Sequence, residues 1–97
     1  MCGILLYVIN KNNIFDYSSL EKNLLNLKNR GPDFSDSLLI KKQNIDLFIG
    51  HTRLSIQDTS SKGNQPMMKN KNGILIFNGE IYNHHEIRKM LVSNFNI

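Results

Sequence analysis

"SLLIKKQNIDLFIG" (residues 37–50) decides how this chain folds. Two aliphatic runs, Ser37 to Lys41 and Ile45 to Ile49, are separated only by Lys42-Gln43-Asn44. Short aliphatic and β-branched runs bounded by polar turn formers read as strands. So brief a link cannot carry a parallel crossover, which needs about a dozen residues or more, but it suits a hairpin. Connections stay short through residue 79. The sheet is therefore expected to be antiparallel and the domain α+β, not a parallel doubly wound one.

Working outward toward the N-terminus, Ile4 to Ile9 reads as a buried strand between Gly3 and the Asn-Lys-Asn-Asn stretch at 10–13. Ser18 to Lys28 reads as a helix, with Leu20, Leu24 and Leu27 on one face and Ser18 and Glu21 at capping-box spacing. "NRGPD" (29–33) stops it, because Pro32 cannot continue a helix and Gly31 permits unusual backbone angles.

Toward the C-terminus, the second strand runs into "GHTRLSIQD" (50–58), and "TSSKGNQP" (59–66) is loop. Met67-Met68 suits strand packing. Asn72-Gly73 is a hairpin-turn signal, followed by the strand "ILIF" (74–77) and by "NGE" (78–80). Asn83 and Glu86 have capping spacing for a last helix, whose apolar face is Ile87, Met90 and Leu91. Tyr82, Ile87 and Leu91 are expected in the core. "SNFNI" (93–97) looks like a segment heading into another strand, so residues 1–97 read as one domain incomplete on its C-terminal side, without linker or repeat.

Composition bounds the function. Hydrophobic residues make up 40% of the 97, enough for a packed core but with little stability to spare. The single cysteine cannot form an internal disulfide, which favours a reducing, cytoplasmic setting. No apolar run has the length of a membrane span, and no charged leader precedes the apolar stretch after Gly3, so no membrane partner is expected. The formal charge is +4, but the lysines are scattered and show no period. No nucleic-acid partner is expected. His84 and His85 are adjacent, not at the i, i+4 spacing of helical metal ligands, and His51 fits a packed structural residue, so no metal is expected.

The lone cysteine is Cys2. It could be a small buried residue, a lipid attachment point, or a terminal nucleophile. The third reading has a physical reason. If Met1 is removed, one residue carries a thiol with an ordinary pKa of about 8.5 and an α-amine at about 7.7–8.0. The amine can take the thiol proton and return it to a leaving group. An internal amide nitrogen could not. An attacked carbonyl then needs donors for its developing negative charge, which Asn78 and the backbone of Gly79 could supply. Arg53 offers a two-pronged donor for a carboxylate, and Glu80 the opposite charge for an ammonium. Each also has a plainer reading: a strand-edge charge for Arg53, a simple turn for Asn78-Gly79 and a solvated charge for Glu80.

"MCGI" (1–4), "RGPD" (30–33), "GHTRLSI" (50–56), "NQP" (64–66) and "FNGEIYNH" (77–84) together resemble the glutaminase domain of the asparagine synthetase family. This is a class II glutamine amidotransferase, one of the N-terminal nucleophile hydrolases. The resemblance implies the N-terminal part of a four-layer sandwich, two antiparallel sheets between helical layers. It implies glutamine as substrate, hydrolysed to glutamate and ammonia through a Cys2 thioester for amidation of aspartate. Asn78 and Gly79 would form the oxyanion hole. Arg53 would bind the glutamine α-carboxylate, with backbone groups through Leu54, Ser55 and Ile56, and Glu80 would meet the substrate's amino-acid end. Arg30, Gly31, Pro32 and Asp33 would form a loop that helps close the site.

The family's synthetase domain, as a domain or separate subunit, would be the partner, and a homodimer is possible. ATP and Mg²⁺ would belong to that absent part; no cofactor is expected in this chain, whose glycines are isolated. The family's further acidic glutamine ligand lies past Ile97, and no residue here is expected to replace it. Two other readings stay open: a truncated glutamine-binding module with weak or no turnover, and an amidotransferase for an acceptor other than aspartate.

Overall fold

A computed structural model of the chain describes residues 1–96. It contains β1 (Gly3–Asn10), α1 (Ser18–Leu25), β2 (Phe34–Lys41), β3 (Ile45–Arg53), β4 (Met67–Met68), β5 (Ile74–Leu75) and α2 (His84–Phe95). The first three strands form an antiparallel sheet in the order β1-β3-β2, and β4 and β5 form a small antiparallel pair. The chain is thus a small α+β domain with antiparallel sheets. The hairpin expected from residues 37–50 is β2–β3, with Lys41 paired to Asp46 and Lys42 N–H donating to the Ile45 carbonyl at 3.0 Å.

Alternation sorts the sheet into two faces. One carries Leu5, Tyr7 and Ile9 of β1 and Phe48 of β3, and α1 packs on it. Leu20 and Leu24 bury themselves there with Ile9 and Phe48, flanked by Leu5, Tyr7 and Phe15. Each such burial contributes roughly 1.5–3 kcal/mol. Gly50 makes room: a Cβ would lie 2.7 Å from Leu24 Cδ1. The other face leaves Ile4, Leu6 and Val8 48%, 57% and 63% exposed.

Thr52 ties the elements together. Fully buried, its Oγ1 accepts the Gly3 N–H at 3.1 Å and donates to the Leu27 carbonyl at 3.1 Å. One side chain therefore joins the start of β1, the end of β3 and the chain leaving α1.

Several sequence expectations are corrected. α1 ends at Leu25, not Lys28, because the next turn tightens: Leu27 N–H bonds Leu24, Lys28 bonds Leu25 and Arg30 bonds Leu27. The capping box does not form. Asp16 accepts the Ser18 N–H at 3.0 Å and hydroxyl at 2.6 Å, while Glu21 accepts the Ser37 hydroxyl of β2. Asn83 likewise makes no side-chain cap. The left-handed residues of the β4–β5 turn are Asn70 and Lys71, with φ of 63° and 59°, not Asn72-Gly73. "ILIF" pairs only at Ile74–Leu75, since the Phe77 N–H goes to the Gln65 side chain at 2.6 Å. Tyr82 and Leu91 are exposed and Ile87 is half-buried; no described residue of α2 is buried. Ile97 lies outside the described residues.

Candidate functional site

β1 and β3 run antiparallel with Gly3 opposite Thr52, so the residue before β1 meets the residue after β3. The half-buried thiol of Cys2 accordingly receives the Leu54 N–H at 3.3 Å and lies 3.8 Å from the Leu54 carbonyl. Arg30 Nε donates to the Cys2 carbonyl at 3.3 Å.

The "RGPD" loop runs along the end of β3. Asp33 N–H donates to the Arg53 carbonyl at 2.9 Å, and the Asp33 carboxylate accepts the Ser55 N–H at 2.7 Å. Gly31 is pressed on the Thr52 carbonyl, where any Cβ would overlap the backbone. Gly31, Pro32, Asp33 and Ser55 brace β3 and do not line the cavity beside Cys2.

That cavity, of about 530 Å³, is lined by Cys2, Arg53, Leu54, Ile56, Asn78, Gly79 and Glu80 among others. Residues as far apart in sequence as Cys2 and Glu80 share this cavity because β3 delivers Arg53 beside Cys2 and the Gln65–Phe77 bond brings in the segment 77–80. Gly79 has a φ of 157°, backbone that other residues rarely adopt.

Arg53 is only 7% exposed. Its Nη1 donates to the Ser60 carbonyl at 2.6 Å and to Asn64 Oδ1 at 2.8 Å, and its Nη2 donates to the Asp58 carbonyl. The plain strand-edge reading of Arg53 does not hold.

Sequence reasoning missed Asp58, whose residue also lines the cavity. The Ser60 hydroxyl and N–H hold its carboxyl below the usual carboxylate range, with Arg53 adding to the effect. The signal was present in "DTS" (58–60): an aspartate two residues before a serine is an Asx-turn pattern. A second acidic residue thus lines the cavity with Glu80, where none beyond Glu80 was expected.

His51 is fully buried, and neither ring nitrogen has a hydrogen-bond partner. Burial lowers its pKa; the Phe77 main chain, near the ring but outside hydrogen-bond geometry, acts in the opposite direction. The rings of His84 and His85 lie 3.9 Å apart. Among the described residues no three His, Cys, Asp or Glu side chains converge as a metal site, and no helix is long and apolar enough to cross a membrane.

The fold is that of a small α+β domain whose one thiol, on Cys2, directly precedes β1. Comparison supplies the family. The chain belongs to the glutamine amidotransferase domain family, which residues 1–96 match. It is 41% identical over its whole length to a probable glutamine-hydrolyzing asparagine synthetase of Acanthamoeba polyphaga mimivirus, of which it covers 17%. It is 46% identical over 66 residues, 67% of this chain, to asparagine synthetase 1 of Lotus japonicus, covering 10% of that protein. A putative asparagine synthetase of Methanocaldococcus jannaschii is 35% identical over 78 residues, with 65% of this chain and 15% of that one aligned. The chain therefore spans less than a fifth of these relatives. No solved structure is significantly similar to it.

Proposed function

We propose that the chain is the glutaminase part of an asparagine synthetase-type amidotransferase, hydrolysing glutamine to glutamate and ammonia. The observation that carries the reading is the unique thiol of Cys2 on one cavity with Arg53, Asn78, Gly79 and Glu80. The relatives' names as glutamine-hydrolyzing enzymes support it.

In this reading Cys2 sulfur attacks the glutamine carboxamide carbon. The C–S bond forms, the carbonyl π electrons move to oxygen, and the oxyanion is met by the Asn78 carboxamide and the Gly79 N–H. The C–N bond then breaks, and the nitrogen leaves as ammonia with the proton first taken from the thiol. Water adds to the thioester, releases glutamate and restores the thiol. The proton carrier is the α-amine that removal of Met1 would free on Cys2. Met1 itself lines the cavity, so its removal would also open the site. The remaining donors of Arg53 take the α-carboxylate, and Glu80, with Asp58 on the same wall, faces the ammonium. Arg30 to Asp33 hold this end of β3 in place.

The ammonia would go to aspartate in a synthetase domain or subunit, where ATP and Mg²⁺ act. The bare sheet face of Ile4, Leu6 and Val8 supports the larger reading of an incomplete four-layer sandwich: a second sheet would cover it. The same bare face favours a second reading of these 97 residues alone, as a glutamine-binding module that turns over poorly.

A glutamine analogue with a diazoketone in place of the carboxamide tests the central claim. It should label the protein once, at Cys2, and only after Met1 is removed. Labelling that survives Cys2→Ser, or that needs no methionine removal, refutes the terminal-nucleophile mechanism.

A further inference from the structure

A guanidinium carries five N–H donors. In Arg53 three are taken, by the carbonyls of Asp58 and Ser60 and by Asn64 Oδ1. Nε–H and one Nη2–H remain, the number one carboxylate accepts in a two-pronged pair. Two of the three acceptors are main-chain carbonyls, fixed by the path of the loop. The third is a side chain. Gly63 completes the enclosure, since a Cβ there would overlap the guanidinium.

Arg53 also stands between two hollows. One is the Cys2 cavity. The other, of about 500 Å³, is polar and is lined by Asp33, Ser55, Thr59, Ser61 and Asn64 as well as Arg53. Without the Asn64 oxygen, Nη1 would have a free donor, and hydroxyl and carboxylate acceptors in the second hollow could turn the guanidinium away from Cys2.

We propose that Asn64 is a positioning residue for ligand selection: by accepting from Nη1 it fixes the rotation of Arg53, so that the two free donors serve an α-carboxylate in the Cys2 cavity. The proposal rests on the glutamine-site reading given above.

The test is equilibrium binding in a Cys2→Ala background, which prevents turnover. The ligands are glutamine and 4-aminobutanamide, which is glutamine without its α-carboxylate. Asn64→Ala should weaken glutamine about 5- to 10-fold, the scale of one hydrogen bond, and leave 4-aminobutanamide within about twofold. In an Arg53→Met background, adding Asn64→Ala should change glutamine binding no further, as expected when one residue acts only through another. Equal losses for both ligands, or a second additive loss in the Arg53→Met background, overturn the proposal. If Arg53→Met itself weakens both ligands equally, the assignment of Arg53 to the carboxylate fails instead, which is a distinct result. Should Asn64→Ala lower the melting temperature by several degrees, Asn64→Ser gives the same comparison with a polar group kept in the loop.

Discussion

The segment through Arg53 and the segment from Leu54 onward are built differently, and the candidate site needs both. All the buried apolar side chains, Ile9, Leu20, Leu24, Phe48 and Ile49, lie in the first. Among the described residues none after Arg53 is buried. The first segment contributes the thiol of Cys2 and the guanidinium of Arg53, held by sheet register and by Thr52. The second contributes Asn78, Gly79 and Glu80; the Gln65–Phe77 bond ties them to the loop that Arg53 holds through Asp58, Ser60 and Asn64. The proposed nucleophile and carboxylate ligand thus ride on the packed core, whereas the proposed oxyanion donors ride on a segment with little core of its own. Local stability follows buried contacts, so the two parts of the site are expected to respond differently to mutation.

The largest effect tests the exposed side. Asn78→Ala should lower kcat for glutamine hydrolysis about 10²- to 10³-fold, because its donor serves charge present mainly in the transition state. KM should change little. A change confined to KM would show that Asn78 binds the ground state, and would leave the second segment without a catalytic part.

A paired measurement addresses the core directly. Leu24 is 1% exposed beneath the sheet, whereas Leu91 on α2 is 36% exposed. Leu24→Ala should destabilise by about 2–5 kcal/mol, and Leu91→Ala by about 0.5 kcal/mol or less. Denaturant melts of the two variants decide it. Equal losses would mean that α2 is packed as firmly as α1, and the contrast between the segments would collapse.

The sequence was legible where one local rule had no competitor. The link at 42–44 allowed only a hairpin, and the apolar run at 4–9 only a strand, so β1, β2 and β3 all form, although β2 begins at Phe34, before the expected Ser37, and β1 is buried on one face alone, with Ile4, Leu6 and Val8 exposed. It was illegible where side chains had longer-range choices. Ser18 and Glu21 have capping spacing, yet Asp16 was nearer to the free N–H of Ser18 and the Ser37 hydroxyl competed for Glu21. Asn72-Gly73 carries the stronger turn signal, but the register of Met68 with Ile74 puts the left-handed residues at Asn70 and Lys71. The periodicity of α2 correctly marks an apolar face but cannot tell whether anything covers it. At the site, motif residues Cys2, Arg53, Asn78 and Glu80 could be named in advance, whereas the cradle of Arg53 and the place of Asp58 depend on how the loop 58–64 folds back.

The smallest effect concerns the seam between the segments. His51 sits on β3 opposite Ile4 and Asp36, on the face away from α1 and beside the Phe77 main chain. Burial lowers its pKa below the ordinary value of about 6.5, and nearby Arg53 adds to the shift. The unfolded chain takes up a proton near pH 6.5, while the folded chain resists it. The contribution of the neutral ring is therefore complete above about pH 6.5 and is lost as pH falls toward the folded pKa, with a slope below about 1.4 kcal/mol per pH unit. Asp16, Asp46 and Asp58, also shifted down, add their losses only in the lower window below about 3.8. Melting temperature recorded from pH 7.5 to 5 should fall for the wild type and stay nearly level for His51→Gln. Protonation would place a charge against Phe77, one residue from Asn78, so glutamine turnover should decline over the same range. Parallel pH profiles for the two proteins would show that His51 takes its proton as readily folded as unfolded, and that the seam carries no such coupling.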